Sequence, residues 1–175
     1  MDRRRFDQVN GRAALRGLSR VALFATASLL CTASPVFSQL SLSLATEDRP
    51  LHTADAARYA PVQRGRATLF VETSPRLTIP NEEIRAVLVN TRRTDGGPSY
   101  EVTFTLSPPG ARRLAEFTAE RVGQYVEMKF GDVSLGLPRL VAPVANGILQ
   151  GRLSGLAQDQ VQGVFAKLGS KVTWK

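Results

Sequence analysis

The sequence has little of the chemistry on which most enzymes and metal sites depend. Its 175 residues include one histidine, His52, and one cysteine, Cys31. A single histidine in a stretch without periodic pattern provides neither a Ser–His or Cys–His arrangement nor a cluster of metal ligands. The sequence therefore predicts a protein that is not an enzyme, with no catalytic residues, no metal site and no cofactor.

Long apolar runs are also missing. The most apolar stretch, residues 21–33, is shorter than the roughly 20 residues that a membrane-spanning helix needs. Six arginines precede it within residues 3–20, and Pro35 ends it and is followed by Val36, Phe37, Ser38 and Gln39. This order is typical of a secretory signal peptide. We predict a signal peptide over 1–38, cleavage between Ser38 and Gln39, and a periplasmic or secreted protein.

Three other interpretations of this segment stay open. The signal could be retained as an anchor. Cys31 could carry a lipid, although the bulky Leu30 precedes it where such sites prefer a small residue. The run of arginines at residues 3–5 resembles a twin-arginine export signal, although Asp7 stands where an apolar residue is usual. Because removal of the signal would also remove the cysteine, the rest of the chain cannot form an internal disulfide.

The charge balance changes once the signal is set aside. The whole chain has 23 basic and 15 acidic residues, a net charge of +8, and a sequence pI near 10.5. Six of the basic and two of the acidic residues lie in the predicted signal, which leaves 17 against 13 and a net charge of +4. No pattern of aromatic and basic residues typical of a nucleic-acid binder accompanies it. We expect no nucleic-acid partner.

The remaining chain divides by pattern into a linker over 39–65, with one short helical turn near 54–59, and a folded domain over 66–175. An Asp95-Gly96-Gly97 sequence between two β-rich runs predicts a hairpin. In the return strand Tyr100 and Phe104 alternate with polar residues, which predicts one buried face. Strands are predicted at residues 67–73, 84–91, 100–106, 124–130, 133–135, 139–144, 148–153 and 171–174.

Two amphipathic helices complete the pattern. The first spans 107–123, with Ser107 as the N-cap and Gly123 as the stop, and its apolar stripe includes Phe117 and Val122. Its arginines, Arg112 and Arg113, are predicted on the solvated face. The second begins at residue 154 and ends at 169. Strands joined mainly by hairpins, with two helices, predict an α+β fold, a two-layer sandwich of a mostly antiparallel sheet with both helices on one face.

Two stretches of the sequence resemble the head of the first periplasmic domain of SecD, the membrane subunit that assists protein export. They are FTLSPPGARRLAEFTAERVG (104–123) and YVEMKFGDVSLGLPRLVAPVANGILQGRLSGLAQDQVQGV (125–164). The resemblance covers roughly residues 69–168 and includes the helix opening, a turn, a proline step and a Gly-rich hairpin. The residues that match are Ser107, Pro108, Gly110, Ala111, Arg112, Leu114, Ala115, Thr118, Gly131, Asp132, Gly136, Leu137, Pro138, Asn146, Gly147 and Gly151.

This resemblance implies a SecD-head-like module that binds protein, with an unfolded or partner polypeptide as its ligand and a role in export or translocation. The family's Asp-Gly turn is inverted here to Gly131-Asp132, and its Ser-Ala step is replaced by Gly136-Leu137. Without membrane helices, coupling to a proton gradient is not expected. The alternative is a structural accessory subunit of an envelope complex unrelated to export, in peripheral contact with a membrane assembly. The sequence contains no signal for an oligomeric state.

One segment is predicted to bind peptide. Residues 133–144 are unusually apolar for a hairpin connection and contain Pro138 and Pro143. Proline cannot donate to a strand ladder, so part of the segment should lie at a sheet edge. An edge with apolar side chains nearby is what an added strand of peptide requires. The predicted site residues are Gly136, Leu137, Pro138, Leu140, Val141 and Val144, and we expect weak binding with little dependence on salt.

The predicted processing can be tested directly. N-terminal sequencing of the exported protein should give a chain that begins near Gln39. A membrane-held chain that keeps Met1 would contradict the prediction.

Overall fold

The computed structural model describes residues 39–48 and 57–175. The predicted signal peptide and residues 54–56 of the predicted helical turn lie outside the described residues. The strands, in chain order, are β1 Leu40–Thr46, β2 Tyr59–Arg64, β3 Ala67–Glu72, β4 Leu77–Ile79, β5 Ile84–Thr94, β6 Gly97–Leu106, β7 Tyr125–Phe130, β8 Val133–Gly136, β9 Ile148–Ser154 and β10 Val172–Trp174. The helices are α1 Pro108–Ala119 and α2 Gln158–Phe165, with 3-10 turns at Asn81–Glu83 and Ala166–Lys171. The predicted α+β class is confirmed.

The strands form two sheets. The first has the order β2-β3-β1-β7-β8, with β4 also paired to β1, and its pairs are all antiparallel. The second has the order β10-β5-β6-β9 and is antiparallel except for the β10–β5 pair. β8 is the last strand of the first sheet and β9 is the last strand of the second. Each of these strands therefore has one edge that is not paired with another strand.

The predicted linker is wrong for the described residues. β1 lies in the middle of the first sheet, where it pairs with β3, β4 and β7. Leu40 and Leu42 are fully buried, and Ser41 between them is only half-buried. The alternation of leucine and serine is a strand pattern of period two. Its partners come from distant parts of the chain, so the segment had no local hairpin signal to identify it.

Both sheets and both helices contribute to one main core. Phe104 of β6, Phe130 of β7 and Phe165 of α2 pack together with ring centroids 5.3 to 6.1 Å apart. All three rings are fully buried. A smaller apolar cluster of Ala45, Leu69 and Val71 lies apart from this core.

The ends of both helices differ from the prediction. α1 ends at Ala119, so Val122 lies beyond it and is 48% exposed instead of continuing the stripe. Ser107 occupies the N-cap position but its side chain makes no capping hydrogen bond. Ser154 does not open α2, because it pairs with Ser99 as the last residue of β9. The pairing of β9 with β6 therefore continues one residue beyond the predicted end of that strand at residue 153.

One of the two predicted surface arginines of α1 is not simply solvated. Arg113 forms an ion pair with Glu83 and is less exposed than Arg112. A Cβ atom on Gly110 would lie 3.1 Å from the same carboxylate, so the start of α1 packs closely on the 3-10 turn that contains Glu83. Arg112 is exposed and keeps its predicted position.

The orientation of α1 generates a stability prediction. Phe117 is 7% exposed and belongs to the main core. Replacing it by alanine should lower the free energy of unfolding by about 3–5 kcal/mol, since the change leaves a cavity in a packed core. Arg112→Ala, on the exposed face, should cost under about 0.5 kcal/mol. Chemical denaturation measures both, and equal costs would contradict this orientation.

Candidate functional site

The predicted peptide-binding segment, residues 136–144, begins at the last residue of β8 and runs beside the start of β7 and the residues just before it. The N–H of Val126 donates to the C=O of Pro138 at 3.0 Å. The N–H of Leu140 donates to the C=O of Gln124 at 2.8 Å. One edge of the segment is therefore already paired, and the antiparallel pairing of β8 with β7 continues past the end of the strand.

The other edge of this segment is open. Arg139 stands opposite Tyr125 in an isolated antiparallel bridge, and the hydrogen bonds of that bridge are made by the residues on either side of Arg139. In such a pair, the N–H and C=O of the central residue point away from the partner strand. The backbone of Arg139 is therefore directed to the side of the segment away from β7.

β9 presents a second open edge. The N–H of Leu106 donates to the C=O of Gly147 at 2.9 Å, which sets the phase of the β6–β9 ladder. In an antiparallel ladder the hydrogen-bonded pairs fall at every second residue. Counted from Gly147, the backbone groups of Gln150 and Arg152 point away from β6. Because β9 is the last strand of its sheet, these groups lie on its unpaired edge.

The two edges meet at one point. A Cβ atom on Gly151 would lie 2.7 Å from the Cβ of Leu135 and 2.8 Å from its backbone oxygen. Only a residue without a side chain allows this approach. In the described part of the chain, β8 and β9 belong to different sheets and are not paired with each other.

Next to this contact, a cavity of about 470 Å³ lies between the open edges. We call it the edge cleft. Arg139 is the only charged residue among those that line it. The lining residues are Leu42, Thr118, Val126, Met128, Pro138, Arg139, Leu140, Val141, Ala142, Val144, Asn146, Ile148, Leu149 and Gln150. Four predicted site residues are among them: Pro138, Leu140, Val141 and Val144.

The other two predicted residues, Gly136 and Leu137, line a neighbouring cavity of about 630 Å³. We call it the polar groove. It shares Met128, Pro138 and Gln150 with the edge cleft, so the two cavities adjoin. Its other lining residues are Arg64, Asn90, Glu101, Val102, Thr103, Leu135, Gly151 and Arg152.

The six predicted residues differ in what they can contribute. Leu140 is 8% exposed and belongs to the core, and Leu137 packs against the smaller apolar cluster. The N–H of Val144 is already bonded to the Thr118 hydroxyl at 2.9 Å. Gly136 has a φ of 134°, which a side chain would strain. Val141 is 87% exposed and is the side chain most available to a ligand.

The opposite wall of the cleft was not predicted from the sequence. Ile148 is 40% exposed and Gln150 is exposed, and both line the cavity from β9. β9 was predicted as a strand, but its position at the end of a sheet follows only from the order of the strands. The glycine at position 151, noted in the predicted hairpin, was the one local signal of a close approach.

The described part of the chain, residues 39–48 and 57–175, contains no group of three His, Cys, Asp or Glu side chains placed to bind a metal ion. Nor does any helix within it have the length and apolarity to cross a bilayer.

A third cavity, of about 560 Å³, is lined by Glu72, Tyr59 and Tyr125 among other residues. Arg76 donates two hydrogen bonds of 2.5 Å to the Glu72 carboxylate. These bonds hold the pKa of Glu72 below its ordinary value, against the opposing effect of burial. The same pair raises the pKa of Arg76. The pair joins the end of β3 to the loop before β4, which is a structural role.

No protein-family model matches the chain, and no curated protein matches it. One similar solved structure is of SecDF, described as a membrane component that enhances protein export: TM-score 0.44, 14% identity, 75% of this chain and 61% of that chain covered. Another is SecDF in a super-membrane-facing form: TM-score 0.43, 14% identity, 75% and 18% covered. The chain therefore spans less than two thirds of either structure.

The Glu72–Arg76 pair predicts a pH dependence of stability. A carboxyl whose pKa is depressed by folding stabilises the fold above its unfolded pKa, about 4.3 for glutamate, and this contribution is lost as the pH falls through the folded pKa. Wild type should therefore exceed Glu72→Gln in free energy of unfolding at pH 7, and the difference should shrink below about pH 4. Urea unfolding measures it. Glu116→Gln, at an exposed site, should change little at either pH.

Proposed function

We propose that this protein is a non-catalytic binding module that accepts an extended, apolar segment of polypeptide in the edge cleft. The observation that carries the proposal is a pair of open strand edges, at Arg139 and at Gln150, bordering one apolar cavity. A peptide in extended form can satisfy the backbone groups of such an edge and place alternate side chains in the cavity.

The side chains of the cleft support an apolar ligand. Leu42, Val126 and Met128 are buried residues of the first sheet that line it. Val141 and Ile148 are exposed and lie on opposite walls. Burying an apolar side chain against such surfaces contributes roughly 1.5–3 kcal/mol. A few residues of peptide would then give weak, reversible binding once the cost of association is subtracted.

Exposed apolar surface distinguishes this proposal from a permanent structural subunit. A permanent interface requires a large, continuous apolar patch. Across the described residues, the large apolar side chains that are exposed are Val122, Val141, Ile148 and Trp174. Two of these four line the edge cleft, and the others do not line it. Four such side chains, two of them at the cleft, do not amount to the large patch of a permanent interface, which favours a transient binder.

The setting of this activity is the second part of the proposal. The resemblance of residues 104–123 and 125–164 to the SecD periplasmic head favours a chain in the course of export, or an envelope protein, as the ligand. The basic and apolar pattern of residues 1–38 favours a location outside the cytoplasm. We propose an accessory role in protein export on these two grounds.

Peptide binding by two matched variants tests the proposal. A fluorescent apolar peptide that favours an extended conformation is titrated against the wild type, Val141→Asp and Val122→Asp. Both valines are exposed, and only Val141 lines the cleft. Because a charge there opposes burial of the ligand, Val141→Asp should weaken binding by about tenfold or more, equivalent to about 1.4 kcal/mol. Val122→Asp should bind as wild type does.

A second arm tests the backbone contribution. The same peptide with alternate amides methylated keeps its side chains but cannot donate along one edge, so its binding should be much weaker. Leu137 is not used as a test position because it packs against the smaller apolar cluster. Binding that is equal in the two valine variants, or absent in wild type, would falsify the proposal.

A further inference from the structure

The polar groove extends the proposed peptide path beyond the apolar cavity, and its charges are unbalanced. Two arginines, Arg64 and Arg152, line it together with one carboxylate, Glu101. A third arginine, Arg92, forms an ion pair with the Glu101 carboxylate at 3.0 Å. Three guanidinium groups and one carboxylate therefore line or adjoin the groove, an excess of two positive charges.

Glu101 is already engaged on both sides. Its Oε2 accepts the contact from Arg92 at 3.0 Å, and its Oε1 accepts a bond from Arg152 at 3.2 Å. The two arginine side chains are 65% and 66% exposed, so each guanidinium keeps donors directed to solvent. A guanidinium has five N–H donors, and one shared carboxylate occupies only a part of them.

Arg64 has no carboxylate partner among the described residues. Its guanidinium lies over the ring of Tyr125, 4.9 Å from the centroid, and its Nη1 is 3.4 Å from the Tyr125 hydroxyl. The aromatic face positions the cation without neutralising it. This leaves a guanidinium held at the wall of the groove with its charge available.

We infer that the polypeptide bound in the edge cleft carries a carboxylate at the end that enters the polar groove, where Arg64 and Arg152 receive it. Charge complementarity supports this occupant, since guanidinium groups bind carboxylates through paired, charge-assisted hydrogen bonds. The inference rests on the proposed function, because the groove adjoins the edge cleft through Met128, Pro138 and Gln150. The carboxylate can come from an acidic side chain or from a peptide C-terminus.

Four peptides with one apolar core test the inference. Three of them have an amidated C-terminus and differ in the residue that flanks the core, which is glutamate, glutamine or lysine. The fourth has glutamine at that position and a free C-terminal carboxylate. At low salt the glutamate peptide should bind about two- to fivefold tighter than the amidated glutamine peptide, as expected for an exposed ion pair. The lysine peptide should bind more weakly than either. The preference should shrink at high salt, because exposed charges are screened. The free-carboxylate peptide shows whether a terminus serves as well as a side chain.

Arg64→Gln should reduce the preference for glutamate, measured as the ratio of the affinities for the glutamate peptide and the amidated glutamine peptide, because Arg152 alone then receives the carboxylate. Arg93→Gln is the matched control, because Arg93 is exposed and lines neither cavity, and it should keep the preference. Equal binding of the glutamate and glutamine peptides by wild type would overturn the inference and leave the proposed function standing. No binding of any peptide would overturn both.

Discussion

The contact between Leu135 and Gly151 is the constraint on which the arrangement of the site depends. It brings the last strand of one sheet against the last strand of the other without pairing them. A side chain at position 151 would displace the backbone of Leu135. Both residues line the polar groove, which adjoins the edge cleft, so the close approach of the two open edges depends on one glycine.

Open strand edges in a folded protein invite unwanted pairing with other chains. Several features limit that risk here. β8 has four residues and its pairing with β7 is interrupted by a register shift between Met128 and Lys129. Pro138 and Pro143 remove donors from the segment that follows. Exposed polar side chains, Gln150 and Arg152, alternate along β9. These features leave room for a short peptide and not for a long ladder.

The charges around the site divide it into two parts with different recognition chemistry. The edge cleft is bordered by apolar side chains and one arginine, so its contribution should be largely insensitive to salt. The polar groove has surplus guanidinium groups, and attraction there is screened by salt. The weak salt dependence inferred from the apolar segment thus applies to the first part, while the second adds preference for one end of the ligand.

Much of the fold was predictable because its signals are local. The Asp95-Gly96 turn places β5 and β6 side by side, and the alternation of Tyr100, Val102 and Phe104 marks the buried face. The apolar stripe and proline start of α1 are equally local. The open edge near Pro138 also followed from composition, since a residue without an N–H cannot donate to a ladder.

Only the tertiary structure decided what these elements meet. β1 was mistaken for a linker because its neighbours β3 and β7 are distant in sequence, and the same leucine–serine alternation becomes a central strand only when both are present. The opposite wall of the cleft exists because β9 is the last strand of its sheet. This position depends on the order of all four strands and cannot be predicted from the residues of β9 alone. The sequence by itself determined where the backbone lacks an N–H donor for a strand ladder, at Pro138 and Pro143. The packing of two sheets decided which open edges face a common cavity, because that depends on strand order and on the close approach at Gly151.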